Sequence, residues 1–139
     1  MSESVSVKGR CLCGKVTFEA AIEPRLDACH CSHCRRLTAG PFMAYGAHIL
    51  TVQGEEAISR FKSSEWAHRE FCKHCGTNLF WRLEGGGHIS INAFAIDNPP
   101  EGALTTEIFV DEQPDCYRFA GETTRMTGAD IQALFAGGN

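Results

Sequence analysis

Seven of the eight cysteines lie in three short groups whose spacing suits metal coordination. The segment 29–36 reads CHCSHCRR and places three thiols within six residues. The two other groups are a Cys-x-Cys pair and a Cys-x-x-Cys pair: Cys11 and Cys13, Cys72 and Cys75. Cys116 stands apart from all three groups. The sequence therefore gives more information about metal binding than about any reaction.

The cysteine content can indicate either disulfides or metal ligands. The first ten residues carry no apolar run, which predicts a chain without a signal peptide and a cytoplasmic location. In a reducing compartment, clustered thiols bind metal or catalyse more often than they pair. Cysteines two apart on an extended strand point to one side, and cysteines three apart around a tight turn reach one ion. We therefore expect metal, with zinc as the default ion for clustered thiolates.

The seven clustered thiols divide as four plus three. If Cys11 and Cys13 share an ion with Cys72 and Cys75, four ligands close a tetrahedral structural site. The remaining trio, Cys29, Cys31 and Cys34, then leaves one coordination position open, as in catalytic zinc sites. Pairing the first two cysteines of the trio with Cys72 and Cys75 instead would leave three thiols unassigned. Spacing does not exclude this, but the first division is favoured because the trio is local in sequence.

The trio also has two interpretations that do not involve an open metal site. His30, His33 or Cys116 could complete a second structural zinc, or the three thiols could carry no metal. The histidines inside the motifs are expected beside the metal or exposed rather than as ligands, because the cysteines already supply most of the coordination. Cys116 is expected to be an uncoordinated thiol, with a fourth ligand or a redox thiol as the alternatives.

Short alternating segments with frequent turn signals predict an all-β domain. The predicted strands and strand pairs include 16–20, 26–31, 42–45, 49–52, 57–61, 66–72, a hairpin around 85–87, 106–110 and 117–119. Thr127 is expected to cap a short C-terminal helix that extends to about Phe135. The aromatic residues expected in the core are Phe42, Trp66, Trp81 and Phe94, with a place on a pocket wall as the alternative for one of them.

Length and charge restrict the class of protein. The 139 residues suit one domain, predicted over 1–139, and no stretch is long and apolar enough to predict a membrane span. A net charge of −4 argues against a general nucleic-acid surface, which needs clustered positive charge. The sequence does not indicate an oligomeric state.

Three segments resemble the glutathione-dependent formaldehyde-activating family, which includes centromere protein V. They are GRCLCG at 9–14, CHCSHCR at 29–35 and FCKHCGTNL at 71–79. Their order and spacing agree with the family over a motif-bearing core of about residues 8–110, whereas the C-terminal part carries no matching motif. The resemblance implies the β-tent fold. It also implies a structural zinc and a second zinc, held respectively by Cys11, Cys13, Cys72 and Cys75, and by Cys29, Cys31 and Cys34.

The family activity implied by the resemblance is the joining of glutathione to formaldehyde, classed as a carbon–sulfur lyase reaction. An open zinc position suits the binding of a thiol substrate as a thiolate that attacks a carbonyl carbon. Arg35 and Arg36 are candidate contacts for a glutathione carboxylate, because arginine binds carboxylates in a bidentate manner. The expected partners are thus a small-molecule thiol and an aldehyde. The rival hypotheses are a non-catalytic zinc module for protein–protein interaction and, third, a redox or metal-handling role.

Overall fold

The computed structural model describes residues 4–137, in which β-strand is the main regular structure. The strands are β1 Val5–Arg10, β2 Thr17–Ile22, β3 Leu26–Cys29, β4 Phe42–Gln53, β5 Ile58–Lys62, β6 Ala67–Cys72, β7 Asn78–Leu83, β8 Ile89–Asn92, β9 Leu104–Ile108 and β10 Thr124–Met126. Two short helices accompany them, α1 Ser32–Thr38 and α2 Gly128–Gly137. The predicted all-β class with a short C-terminal helix is confirmed.

The chain divides into two compact units. The first unit contains the residues up to Pro24 together with Ala44–Gly102, and the second contains Arg25–Met43 together with the residues from Ala103 onward. The prediction of a single domain over 1–139 stays a prediction, and residues 1–3 and 138–139 lie outside the described part of the chain. Both outer cysteine pairs belong to the first unit, and the central trio belongs to the second.

The first unit is built on antiparallel strands in the order β1-β2-β4-β8-β7-β6-β5. The large apolar side chains that it buries most deeply lie on these strands and the adjoining turns: Val16, Phe18, Ile22, Leu79, Phe80 and Ile91. The rings of Phe18 and Phe80 meet edge to face at 5.3 Å between centroids. Buried residues alternate with less buried ones along β1 and β2, as expected of half-buried strands, whereas Leu79 and Phe80 of β7 are consecutive and both buried.

Three expectations for the first unit need correction. The two strands predicted at 42–45 and 49–52 form one strand, because β4 pairs with β8 in its first half and with β2 in its second. Phe94 is 70% exposed, since Ala93–Ala95 is a single 3-10 turn that breaks the alternation. Trp66 is also exposed, whereas Phe42, which belongs to the second unit, is buried as expected.

The second unit contains three parallel strands in the order β10-β9-β3. Its C-terminal helix α2 begins as predicted: the Thr127 hydroxyl accepts a hydrogen bond from the Asp130 N–H at 3.2 Å. The Asp130 carboxylate accepts one from the Thr127 N–H at 2.9 Å, which completes a reciprocal cap. Among the described helices, none combines the length and hydrophobicity needed to cross a membrane.

Two predictions for the second unit are wrong. The extended segment predicted to continue to Cys31 ends at Cys29, and α1 follows almost at once. Residues 117–119 are not a strand, since Tyr117 and Phe119 lie in a loop with their rings near His30. The strand predicted at 106–110 is present but shifted to Leu104–Ile108.

Candidate metal centres

The first candidate metal centre joins the two outer cysteine pairs. Its four Sγ atoms, from Cys11, Cys13, Cys72 and Cys75, all lie within 4.8 Å of one another. Cys13 Sγ is 3.6 Å from Cys11 Sγ and 3.8 Å from Cys72 Sγ. Tetrahedral Zn–S bonds of about 2.3 Å place the sulfurs about 3.8 Å apart, so the donor set fits a four-thiolate zinc.

Each pair of the first centre sits in a turn that ends on a glycine. Gly14 and Gly76 have φ values of 83° and 82°, in the left-handed region that glycine adopts without a steric penalty. The Val16 N–H points at Cys11 Sγ and the His74 N–H at Cys72 Sγ, both at 3.4 Å. Backbone donors are therefore already directed at the sulfurs, as a cluster of negative thiolates requires.

Thr77 connects the two turns. Its hydroxyl oxygen accepts a hydrogen bond from the Leu12 N–H at 3.0 Å and lies 3.2 Å from Cys75 Sγ. On the other side, the Arg10 guanidinium donates to the carbonyl oxygens of Cys11 and Leu12 at 3.0 and 2.9 Å. A positive side chain thus lies against the first turn, which helps to offset the −2 charge of a zinc with four thiolates.

The thiols of Cys75 and Cys13, both in the first centre, have different pKa values. Hydrogen bonds from the side chain and backbone of Thr77 hold the pKa of Cys75 at about 5. A backbone hydrogen bond from Lys15 lowers the pKa of Cys13, but loss of solvation and the three neighbouring thiols outweigh it and raise that pKa to about 11. Four adjacent thiolates repel each other, and a bound cation would remove that repulsion.

The second candidate centre lies where β3 passes into α1. Cys29 ends β3, Cys31 caps α1 and accepts the Cys34 N–H at 3.4 Å, and Cys34 is buried in the first helical turn. The three Sγ atoms lie within 4.8 Å of one another. Contacts with the thiols of Cys31 and Cys34, and then burial, raise the pKa of Cys29 far above its ordinary value. Three soft donors crowded in this way suit a thiophilic cation such as zinc.

The structure therefore groups the seven thiols as four plus three, which is the division that the sequence favoured. All eight cysteines lie in the described part of the chain, and no disulfide joins them. Cys116 is exposed and does not belong to either group. His33 is exposed on α1.

His30 lies between two cysteines of the trio, yet its ring points elsewhere. Its Nε2 is 2.8 Å from a Glu107 carboxylate oxygen, and its Nδ1 is 2.6 Å from the Tyr117 hydroxyl. Both ring nitrogens are therefore used by protein groups, and neither is left for a metal at the trio. No local pattern indicated Glu107 or Tyr117, which lie 77 and 87 residues further along the chain.

The two candidate arginines have different surroundings. Arg35 is half-buried, and its Nε donates to the His30 carbonyl oxygen at 2.9 Å. Arg36 is exposed on α1. Arg35 thus contributes to the turn that carries the cysteines, while the guanidinium of Arg36 is accessible to solvent.

Residues 6–112 match the sequence profile of a family described as glutathione-dependent formaldehyde-activating enzyme. The chain belongs to this family. The matched residues include all seven thiols of the two centres and end before Tyr117. A Schizosaccharomyces pombe (strain 972) protein, named an uncharacterized lyase, is 36% identical over 127 residues, which are 89% of this chain and 93% of that protein.

A crystal structure of a Rhodobacter sphaeroides protein has the same fold. Its TM-score is 0.59 at 24% sequence identity, and the alignment covers 86% of this chain and 99% of the other. This likeness concerns the fold alone.

Proposed function

We propose that the protein is a carbon–sulfur lyase of the S-(hydroxymethyl)glutathione synthase type, which joins a glutathione-like thiol to formaldehyde or another small aldehyde. The observation that carries the proposal is the convergence of Cys29, Cys31 and Cys34 as three donors in a chain of this family. The lyase name of the Schizosaccharomyces pombe relative supports it. A cytoplasmic location is part of the proposal, because the thiols must stay reduced to act as ligands.

The reaction is an addition without a redox change. The sulfur of the thiol forms a bond to the carbonyl carbon, the carbonyl π bond breaks, and the thiol proton ends on the oxygen to give a hydroxymethyl thioether. The rate depends on the thiolate, which is the nucleophilic form of the thiol. A zinc held by three thiolates retains an open position and would supply the Lewis acidity that favours a thiolate at neutral pH.

The chain's own residues supply the donor set and the means of binding the substrate. Cys29, Cys31 and Cys34 would hold the metal, and the four-thiol centre would hold a structural zinc. Arg36, exposed on the same short helix as Cys34, is available for a carboxylate of the thiol substrate. Arg35 is the second candidate contact for this carboxylate, and its Nε already donates to the His30 carbonyl oxygen.

The test is an NMR measurement of exchange between ¹³C-formaldehyde and its glutathione adduct. Thiols add to formaldehyde without an enzyme, so each rate is compared with a protein-free sample. We expect the protein to raise the exchange rate. Cys31→Ala should return the rate to the protein-free value, because the two thiols that remain no longer complete the three-donor centre. Cys116→Ala is the matched control, since this exposed cysteine lies outside both centres.

The interpretation requires that Cys31→Ala stays folded, which far-UV circular dichroism and retention of one zinc per chain establish. A folded Cys31→Ala protein with undiminished exchange would show that the trio does not carry the activity. No exchange above background across a panel of thiols and small aldehydes would remove the main support for an enzyme.

The alternative is a non-catalytic structural zinc module for protein–protein interaction. Two large apolar side chains of the first unit favour it, since Leu12 is 78% and Phe94 70% exposed. Metal analysis discriminates between the two functions. Two zinc ions, one readily lost to a chelator, support the enzyme, and a single inert zinc supports the module.

A further inference from the structure

The His30 side chain, between Cys29 and Cys31 in sequence, belongs to a hydrogen-bonded group that we call the His30 frame. Its members are His30, Glu107, Tyr117 and Arg125. The His30 side chain is fully buried and Glu107 is 2% exposed. Glu107 accepts from His30 Nε2 and from Arg125, both at 2.8 Å, and also from the Thr123 hydroxyl. A buried histidine and carboxylate with this many partners form a satisfied network, which fixes side-chain positions.

Strand register explains why these distant residues meet. In the parallel pair β3–β9, Ala28 is opposite Glu107, and the His30 N–H continues the ladder by donating to the Ile108 carbonyl at 3.0 Å. In the parallel pair β9–β10, Glu107 is opposite Arg125. Paired residues share a face of the sheet, so Ala28, Glu107 and Arg125 lie on the face that His30 also uses.

The direction of the hydrogen bonds follows from the charges. Burial raises the pKa of Glu107, but hydrogen bonds from Thr123 and His30 and the charge of Arg125 outweigh it and hold that pKa below its usual range. Glu107 is then an acceptor, so His30 Nε2 carries the proton. Burial also raises the pKa of Tyr117, so its phenol stays protonated, and its hydroxyl lies 2.6 Å from His30 Nδ1.

The backbone of His30 is held by hydrogen bonds as well as its ring. The His30 N–H donates to Ile108, and the His30 carbonyl accepts from Arg35 Nε at 2.9 Å. Extended backbone alternates its side chains, so Cys29 and Cys31 point away from the His30 ring. The burial pattern agrees: Ala28 and His30 are buried, and the two cysteines are half-buried.

We propose that His30 is a positioning residue for the second metal centre. Held by Glu107 and Tyr117, it fixes the turn that presents Cys29 and Cys31 at metal-binding separation. This inference rests on the metal role given to the trio in the proposed function. The frame acts through the backbone of the two cysteines and supplies no ligand of its own.

Cobalt(II) binding to the metal-free protein tests the inference without any thiol or aldehyde. The absorption of the second centre is assigned by subtracting the spectrum of Cys31→Ala from that of the unsubstituted protein. We expect Tyr117→Phe and Glu107→Gln to weaken cobalt binding at this centre by about 10-fold to 100-fold, the usual effect of losing a supporting contact. The thiolate-to-cobalt absorption of the second centre should shift, and that of the four-thiol centre should not.

Glu70→Gln is the matched control, because Glu70 is an equally buried carboxylate of the first unit, paired with Arg60 and Arg82. It should leave the second centre unchanged. Equal affinity and an equal spectrum in Tyr117→Phe and the unsubstituted protein would overturn the inference. If Glu107→Gln loses cobalt at both centres, the protein has unfolded. The result for Tyr117→Phe, which removes only one hydroxyl, then decides whether the inference holds. A protein that behaves as expected here but shows no exchange activity contradicts only the proposed function.

Discussion

At the scale of single residues, Thr77 shows how a polar side chain can tune a metal centre without binding the metal. Its hydroxyl donates toward Cys75 Sγ while its oxygen accepts from the Leu12 N–H, so one residue serves both cysteine turns. The hydrogen bonds to Cys75 keep its pKa at about 5, so this thiol is ionised at neutral pH without a metal. Metal ligation needs the thiolate, so Thr77, by lowering the pKa of Cys75, reduces the competition between protons and the metal for this sulfur.

Thr77→Val should therefore weaken the four-thiol centre and move its metal release to higher pH. The lowered pKa of Cys75 favours the thiolate above about pH 5, and without the hydroxyl this thiol holds its proton to a higher pH. We expect about a fivefold loss of zinc affinity at neutral pH, the equivalent of one hydrogen bond. A pH titration of zinc release against a chromogenic chelator measures both effects.

Thr51→Val is the control for this substitution, because Thr51 is an exposed threonine of β4 outside the cysteine turns. It should leave the release curve unchanged. Release from Thr77→Val at the same pH as from the unsubstituted protein would mean that the hydroxyl does not tune the centre.

The seven clustered thiols could be predicted as metal ligands from the sequence, because each group is local and its cysteine spacing indicates a turn. Their supporting residues could not, since Thr77 acts on Leu12 across 65 residues and Glu107 acts on His30 across 77. No local pattern distinguishes Glu107 from any other strand glutamate. Register between strands decides the contact, and register is a property of the folded sheet.

At the scale of elements, β1 brings the first cysteine pair into place. It pairs with β2 along its whole length, and Gly9 also makes an isolated bridge with Ile96. A Cβ atom added at Gly9 would overlap with the Phe18 ring and with the Ala95 carbonyl oxygen. The close approach of β1 to the core therefore requires glycine at this position, two residues before Cys11.

Gly9→Ala should accordingly destabilise the protein by about 1–3 kcal/mol, because backbone and a core ring must both shift. The control is Gly46→Ala in β4, where a Cβ would meet only His88 Cε1 at an ordinary 3.5 Å. Urea unfolding of the zinc-loaded proteins gives both values. A free energy of unfolding for Gly9→Ala equal to that of Gly46→Ala would contradict the packing argument.

Elements with a strong alternation of apolar and polar residues could be predicted from the sequence. Helix α1 and the loop at 117–119 could not. The hairpin of β7 and β8 follows from two alternating runs around a glycine turn. Helix α1 has seven residues with no apolar period, and its cap is a cysteine whose Sγ accepts a backbone N–H. The aromatic alternation at 117–119 indicated a strand, but Tyr117 and Phe119 instead pack near His30.

At the scale of the whole molecule, the two centres differ in how much chain they join. The contact between Cys13 and Cys72 in the first unit spans 59 residues, whereas Cys29 and Cys34 in the second unit are five residues apart. The entropy of closing a loop of 59 residues corresponds to about 4 kcal/mol, and that of a five-residue loop to about 2 kcal/mol. A metal at the first centre should thus stabilise the fold more than a metal at the second.

Stepwise metal removal should show this difference. We expect a chelator to take the zinc of the trio first, with little change in far-UV circular dichroism, and the zinc of the four-thiol centre later, together with loss of the sheet signal. Cys34→Ala should retain one zinc and most of its resistance to urea, while Cys72→Ala should lose far more, because it releases β1 from the turn between β6 and β7. Cys116→Ala, outside both centres, should match the unsubstituted protein. If Cys34→Ala lowers the free energy of unfolding as much as Cys72→Ala does, then loop length does not govern the contribution of each metal, and the trio is as structural as the four-thiol centre.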